Sequence, residues 1–383
     1  MFLYRALLAA GIAVASSQCR SLRDFALDKI LQDSTQLFGD YESALSSKGG
    51  TSEWMKQISD STPLVHMNIP GTHDSGTWNF TLPLMKDIYV DNNITDPQDF
   101  QCQQKSLADM LNSGIRFFDL RPALDPTRTY LTIWHGAVEA SQLASIEDLM
   151  FAFYAWLDHH PSETLLLSFQ YQGGTIPGAS HNKQFEQLMF DMLTSPAAKK
   201  YIWQESGRLG TLGEVRGKIV LMKRFDIEFL AASQDIEIPG LHLSPSRWTD
   251  NGANITLIYN DTTGATAYIE DNYEVGDPAT NVTAADNIDI KVKASVSHLN
   301  FATNGNAPDD LFITFLSSEH LFNDPSMTPR AMALGIGNGS TPKGGVNQQV
   351  NEYLETKKGK RLGIVVADFF DEPSNLIENI LSK

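Results

Sequence analysis

Residues 145–169 read SIEDLMFAFYAWLDHHPSETLLLSF, a helix followed directly by a strand. Ser145 with Asp148 three positions on resembles a capping box, the reciprocal hydrogen bonding that opens a helix. Ile146, Leu149, Met150, Phe153 and Leu157 then recur at helical spacing and share one face. His159-His160-Pro161 closes the helix, because histidine suits the negative end of the helix dipole and proline cannot continue the ladder. Leu165–Phe169 follows as a continuous apolar run, which is how a strand buried on both faces reads. Similar runs stand at Val65–Ile69, Phe117–Arg121, Leu131–Trp134, Ile219–Met222, Phe312–Leu316 and Leu362–Ala367. Weaker helical patterns lie at Ser106–Asn112, Phe185–Leu193 and Val346–Lys357. Strand and helix in alternation imply an α/β protein with a parallel sheet, and a series this long predicts a single, distorted (β/α) barrel of the TIM type. The stretch from Asn251 to Asn287 breaks the rhythm and reads as irregular loop with short strands.

Outside the barrel, residues 1–18 read as a signal peptide. Arg5 supplies a positive start, Ala6 to Val14 an apolar run too short to span a bilayer, and Ala15-Ser16-Ser17 a small-residue cleavage site. Residues 19–50 read as an N-terminal helical segment, and 51–383 as the barrel. Asn-x-Ser/Thr sequons begin at Asn79, Asn93, Asn254, Asn260, Asn281 and Asn338. With the signal peptide they point to a secreted, extracellular glycoprotein. Cys19 and Cys102, the two cysteines of the chain, leave two readings open: a pair tying the N-terminus to a loop, or a lone Cys19 at the processing site. The net charge of −17 excludes nucleic acid and lasting electrostatic adhesion to anionic membranes, so any membrane contact is peripheral and transient. Nothing in the sequence calls for an obligate protein partner.

Four segments are dense in chemistry: Ile69-Pro70-Gly71-Thr72-His73-Asp74-Ser75-Gly76, Gly114-Ile115-Arg116-Phe117-Phe118-Asp119-Leu120-Arg121, Ile133-Trp134-His135-Gly136 and the strand ending on Asp368. On the strand assignments above, His73, Arg121, His135 and Asp368 all fall at C-terminal strand ends. In a parallel barrel those ends meet on one face, where active sites are built. Two histidines can serve as base and acid on either side of a phosphodiester, carboxylates can orient them, and an arginine can grip the phosphate. No metal or other cofactor is then expected. His66, His159, His160, His181, His242, His298 and His320 lack paired spacing for zinc and read as structural. Gly-x-Ser-x-Gly, the mark of a serine hydrolase elbow, is absent.

The segments PGTHDSGT, GIRFFDLR, the strand ending in WHG, PSETLLLS and RGKIVLMKR resemble the bacterial phosphatidylinositol-specific phospholipases C, from about Trp54 to Asp368. The resemblance implies His73 as general base, His135 as general acid, Asp74 paired with His135, Asp368 with His73, and Arg121 on the phosphate. It implies substrate contacts from Arg224, Gln170, Asp271 and Tyr273, while Asp119 reads as a partner of Arg121. Calcium-dependent relatives carry acidic residues where this chain has Arg121, so the metal-independent type is expected. Gln170 stands where the bacterial enzymes have a lysine that contacts inositol, which keeps another lipid headgroup open. A secreted lipid- or glycan-binding protein on a retired scaffold is the rival from outside the enzymes.

Overall fold

The computed structural model describes residues 21–80, 99–179, 181–276, 282–321 and 325–382. Its strands are β1 (Ile69–Thr72), β2 (Phe117–Leu120), β3 (Pro122–Leu124), β4 (Leu131–His135), β5 (Val138–Glu139), β6 (Leu165–Gln170), β7 (Ile219–Arg224), β8 (Leu241–His242), β9 (Ile255–Asn260), β10 (Ala265–Glu270), β11 (Leu311–Phe315) and β12 (Ile364–Ala367). One nine-stranded sheet runs β8-β7-β6-β2-β1-β12-β11-β10-β9, parallel throughout except for the antiparallel pair β9–β10. Its two edges, β8 and β9, approach one another without a ladder, so the barrel is nearly closed and distorted.

Period-two alternation decides what faces inward. Ile69, Phe117, Leu166, Val220, Ile313 and Ile364 fill the interior in one apolar cluster. Register then carries the alternation upward: Asp119 lies beside Ser168, Gln170 beside Arg224, and Gly71 beside both Phe117 and Val366. At Gly71 a side chain would strike the Phe117 ring 2.8 Å away, so glycine permits the close approach of β1 and β2. The apolar layers end where the polar side chains begin, which places the chemistry at the C-terminal mouth.

The helices α1 (Leu22–Phe38), α2 (Tyr41–Ser46), α3 (Leu107–Ser113), α4 (Ile146–His159), α5 (Lys183–Thr194), α6 (Ala284–Thr303), α7 (Val346–Glu355) and α8 (Leu376–Leu381) lie outside the sheet. Ser145 and Asp148 do form the capping box of α4. The opening helices α1 and α2 pack on α4, and Gln36 and Leu37 at the end of α1 accept hydrogen bonds from Asn79 and Trp78, just after β1. Among the described residues, no helix is long and apolar enough to cross a membrane.

Two sequence expectations are corrected and one is refined. The first strand begins at Ile69, not Val65; Leu64–His66 is a 3-10 turn entered from Pro63, with His66 outside the barrel against Asp309. Leu131–Trp134 is not a barrel strand. It belongs to the antiparallel sheet β3-β4-β5, because β3 leaves the barrel at Arg121 and turns back on itself through Asp125, whose carboxylate accepts the amides of Thr127, Thr129 and Tyr130. Asn251–Asn287 is more ordered than expected: its short strands are the hairpin β9–β10, whose inner side chains Ile255, Leu257, Ala267 and Ile269 complete the barrel core, and it includes the start of α6. Outward-facing Ile258 and Tyr268 on the same strands masked the alternation.

Candidate active site

Each side chain of the site is held by the backbone that carries it. His73 follows β1 directly, its amide donating to Ala367 at the end of β12 (3.2 Å). The side-chain amide of Gln103 spans the two strand ends, donating to the carbonyls of His73 (2.8 Å) and Ala367 (2.9 Å). Asp74 adopts a left-handed turn (φ 40°), which Asp tolerates better than most residues and which turns its carboxylate back over the barrel. Phe369, left-handed at φ 43°, makes the corresponding turn after Asp368. That conformation is costly for a bulky residue, and Asn347 stabilises it by donating to the carbonyls of Asp368 and Phe369.

His135 arrives by a different route. It ends β4 of the hairpin, at the rim, instead of ending a barrel strand. Its ring is oriented by the main chain: Nδ1 donates to the Phe100 carbonyl at 2.7 Å, leaving Nε2 toward Asp74. Gly136 follows with φ 55°, and a side chain there would meet the Phe100 ring at 2.9 Å. The His-Gly pair is thus one turn, packed on Phe100.

The two imidazoles face one another with centroids 6.4 Å apart and planes at 84°. Asp368 Oδ1 lies 2.8 Å from His73 Nδ1. Asp74 is shared: its Oδ2 is 3.3 Å from His73 Nε2 and 3.4 Å from His135 Nε2, while its Oδ1 is 2.9 Å from Arg121 Nε. Asp74 thus lies beside His135 as expected, and the buried carboxylate also lies beside His73 and the Arg121 guanidinium. Asp119 accepts from Arg121 Nη2 at 3.2 Å, as expected, and its other oxygen lies 3.7 Å from Arg224 Nη1.

Arg224 ends β7 and lies over Trp248, with its guanidinium carbon 3.6 Å from the ring centre. Trp248 Nε1 donates to Asp271 at 2.8 Å, and Arg224 reaches the same oxygen at 3.4 Å. Tyr273 donates to Asp250 at 2.9 Å. Gln170 lines the pocket with an Oε1 that accepts no hydrogen bond among the described residues. A cavity of about 510 Å³ brings His73, Arg121, His135, Gln170, Arg224, Asp271, Tyr273 and Asp368 to one surface, with Asp119 beneath. Sequence reasoning missed Phe100, Trp248 and Gln103. A tryptophan in the polar stretch Ser244–Asp250 was a usable signal for Trp248, whereas the Phe100 carbonyl carries none, because every residue has one.

Electrostatics separate the two histidines. Burial disfavours charge on His73, but the Asp368 and Asp74 carboxylates outweigh it and raise its pKa above the usual imidazole value. On His135 burial prevails over the attraction of Asp74, helped by repulsion from Arg121, and the pKa falls. Arg121 holds its proton more tightly than a free guanidinium: burial opposes the charge, but Asp74, Asp119 and Asp271 more than compensate.

A family model described as "Phosphatidylinositol-specific phospholipase C, X domain" matches residues 67–225. The chain carries a phosphatidylinositol-specific phospholipase C X domain. That domain holds His73, Asp74, Asp119, Arg121, His135, Gln170 and Arg224; Asp271 and Tyr273 follow β10, and Asp368 follows β12, beyond it. The 1-phosphatidylinositol phosphodiesterase of Staphylococcus aureus (strain Newman) is 26% identical over 267 residues, 69% of this chain and 74% of that protein. The enzyme of the same name from Listeria monocytogenes is 27% identical over 214 residues, 49% of this chain and 57% of that one. Among solved structures, a double mutant of the staphylococcal phosphatidylinositol-specific phospholipase C superposes with a TM-score of 0.68 at 20% identity, covering 87% of this chain and 96% of that one. The listerial enzyme does so at 0.58 and 22%, covering 87% and 98%. These superpositions show that the X domain and its flanks share the barrel fold.

Proposed function

We propose that this chain is a secreted, metal-independent phosphatidylinositol-specific phospholipase C, cleaving an inositol phospholipid or a glycosylated inositol anchor to diacylglycerol and a 1,2-cyclic inositol phosphate. The observation that carries the reading is the facing pair His73 and His135, 6.4 Å apart across a cavity also lined by Arg121 and Arg224. The staphylococcal and listerial relatives, by their names phosphodiesterases of phosphatidylinositol, support the substrate class.

His73 Nε2 takes the proton of the inositol 2-hydroxyl, and that oxygen attacks phosphorus. The bond from phosphorus to the glycerol oxygen breaks, and His135 Nε2 gives its proton to the departing diacylglycerol. Asp368 fixes the His73 tautomer by accepting from Nδ1, and Phe100 does so for His135. Arg121, beside both rings, neutralises the phosphate oxygens as charge builds. The incoming phosphodiester also puts an anion beside His135, which offsets burial and favours the protonated acid. With water in place of diacylglycerol the steps reverse and open the ring slowly.

Metal independence rests on Arg121, whose guanidinium supplies a fixed positive charge beside His73 and Asp74. Secretion rests on the apolar run Ala6–Val14, which lies outside the described residues, and a brief membrane visit on the exposed Phe229 and Ile236 after β7.

The test is ³¹P NMR of phosphatidylinositol micelles with the purified protein in excess EDTA. A five-membered cyclic phosphodiester is expected. Product only when Ca²⁺ is supplied would overturn metal independence, and no product from this lipid under either condition would overturn the headgroup.

A further inference from the structure

Cys102 has no place in the proposed reaction, yet it lies in the wall of the same cavity. It is fully buried, held by its backbone amide, which donates a hydrogen bond to the Thr77 hydroxyl (3.0 Å), and by its carbonyl, which accepts from the Phe369 amide at 2.8 Å. Both contacts tie it to the turns that carry the catalytic residues. Its sulfur, a ring nitrogen of His73 and a carboxylate oxygen of Asp368 lie within 4.8 Å of one another. Asp368 is 1% exposed, and among the described residues its Oδ2 has no hydrogen-bond partner. A buried carboxylate oxygen without a donor is costly unless a cation or water satisfies it.

Thiol, imidazole and carboxylate together are the donor set of zinc. Bonds of about 2.0–2.3 Å to tetrahedrally placed ligands require modest closure from the present separations. Asp368 meets His73 at Nδ1, whereas Arg121 meets it at Nε2, so the carboxylate donor lies on the side of the ring turned from the guanidinium. Burial, with the Asp368 and Asp74 carboxylates adding to it, holds the Cys102 thiol well above its usual pKa, so the free site is protonated. Metal binding at Nδ1 would form the metal–sulfur bond, release the thiol proton to solvent, and move the Nδ1 proton of His73 to Nε2, where it displaces the Arg121 contact.

We propose that Cys102, His73 and Asp368 form a site for a thiophilic divalent cation, typified by Zn²⁺, whose occupation switches the enzyme off by taking His73 out of proton transfer. The switch rests on the catalytic reading of His73; the binding site does not.

Two measurements test it. Zn²⁺ is titrated into the purified protein acting on phosphatidylinositol, beside C102S and C102A, each scaled to its own metal-free rate. Zn²⁺ should inhibit the unaltered protein and EDTA restore it. Both variants should need at least roughly tenfold more metal, since even an outer partner of a metal ligand is worth about 10–100-fold in affinity. Independently of any turnover, Co²⁺ added to the unaltered protein should give a thiolate-to-cobalt charge-transfer band that C102A lacks. Equal inhibition of all three proteins, or no thiolate band, would overturn the site. Absence of turnover with the band present would instead overturn the catalytic reading and leave the site standing.

Discussion

Nη2 of Arg121 lies 2.8 Å from Nε2 of His73. A guanidinium donates and cannot accept, so that nitrogen of His73 carries a lone pair, and the proton of the neutral ring sits on Nδ1 facing Asp368. The geometry is that of a base ready to act at Nε2, with its tautomer set by a carboxylate on the far side.

A pH dependence follows with a definite sign. His73 works when unprotonated, and Asp368 and Asp74 raise its pKa above the usual imidazole value. The rate should therefore fall on acidification through a pKa higher than that of a free histidine. D368N removes a raising influence, so the acid limb of kcat/KM should move to lower pH while the maximum drops by roughly tenfold or more. An acid limb that does not move would show that another group controls it.

The two histidines should separate by leaving group. H73A and H135A should each lose roughly 10²–10⁴ in kcat on phosphatidylinositol. On an inositol phosphodiester with an acidic aryl leaving group, H135A should recover much of its loss, because that group departs without a proton. H73A should recover little. Equal recovery of both would contradict the division of roles.

Gln170 offers a free acceptor in the cavity, in register with Arg224. Q170A should raise KM for phosphatidylinositol by roughly 2–12-fold, the worth of a net hydrogen bond of about 0.5–1.5 kcal/mol, with kcat little changed. Michaelis kinetics on short-chain lipid would check this, and an unchanged KM would remove Gln170 from the headgroup site.

Arg116 illustrates stability set apart from catalysis. Its guanidinium is buried, 2.9 Å from Glu163, 4.8 Å over Trp156, and donates to the carbonyls of Leu111 and Ser52. R116M leaves Glu163 buried without its cation and should cost about 3–5 kcal/mol, read as a fall in thermal midpoint. R116M with E163L should recover part of that loss. A single variant as stable as the parent would show that Glu163 finds another partner or a proton.

The comparison of sequence and structure divides along physical lines. The apolar runs at Leu165–Phe169 and Ile219–Met222 were legible as buried strands because both their faces are covered, and hydrophobicity without interruption is the trace that leaves. The same logic failed at β9, where one face is wet and the outer residues Thr256 and Ile258 are exposed, and at β10, whose outer Thr266 and Glu270 break the apolar run. His73, Arg121 and Asp368 were legible as a group because each sits just past a parallel strand, and parallel strands deliver their C-terminal ends to one mouth.

His135 reached the same mouth for a different reason. An antiparallel hairpin folds it over the rim, and the Phe100 carbonyl, 35 residues away in sequence, sets its orientation. Nor did spacing reveal that Asp74 would be divided among two imidazoles and Arg121. The sequence by itself determined the barrel class, the inward phase of most strands and the kinds of groups at the mouth, since periodicity and residue type are local properties. Which nitrogen meets which oxygen was decided only by the tertiary structure. Those contacts depend on backbone carbonyls and turn geometry that no side-chain pattern encodes.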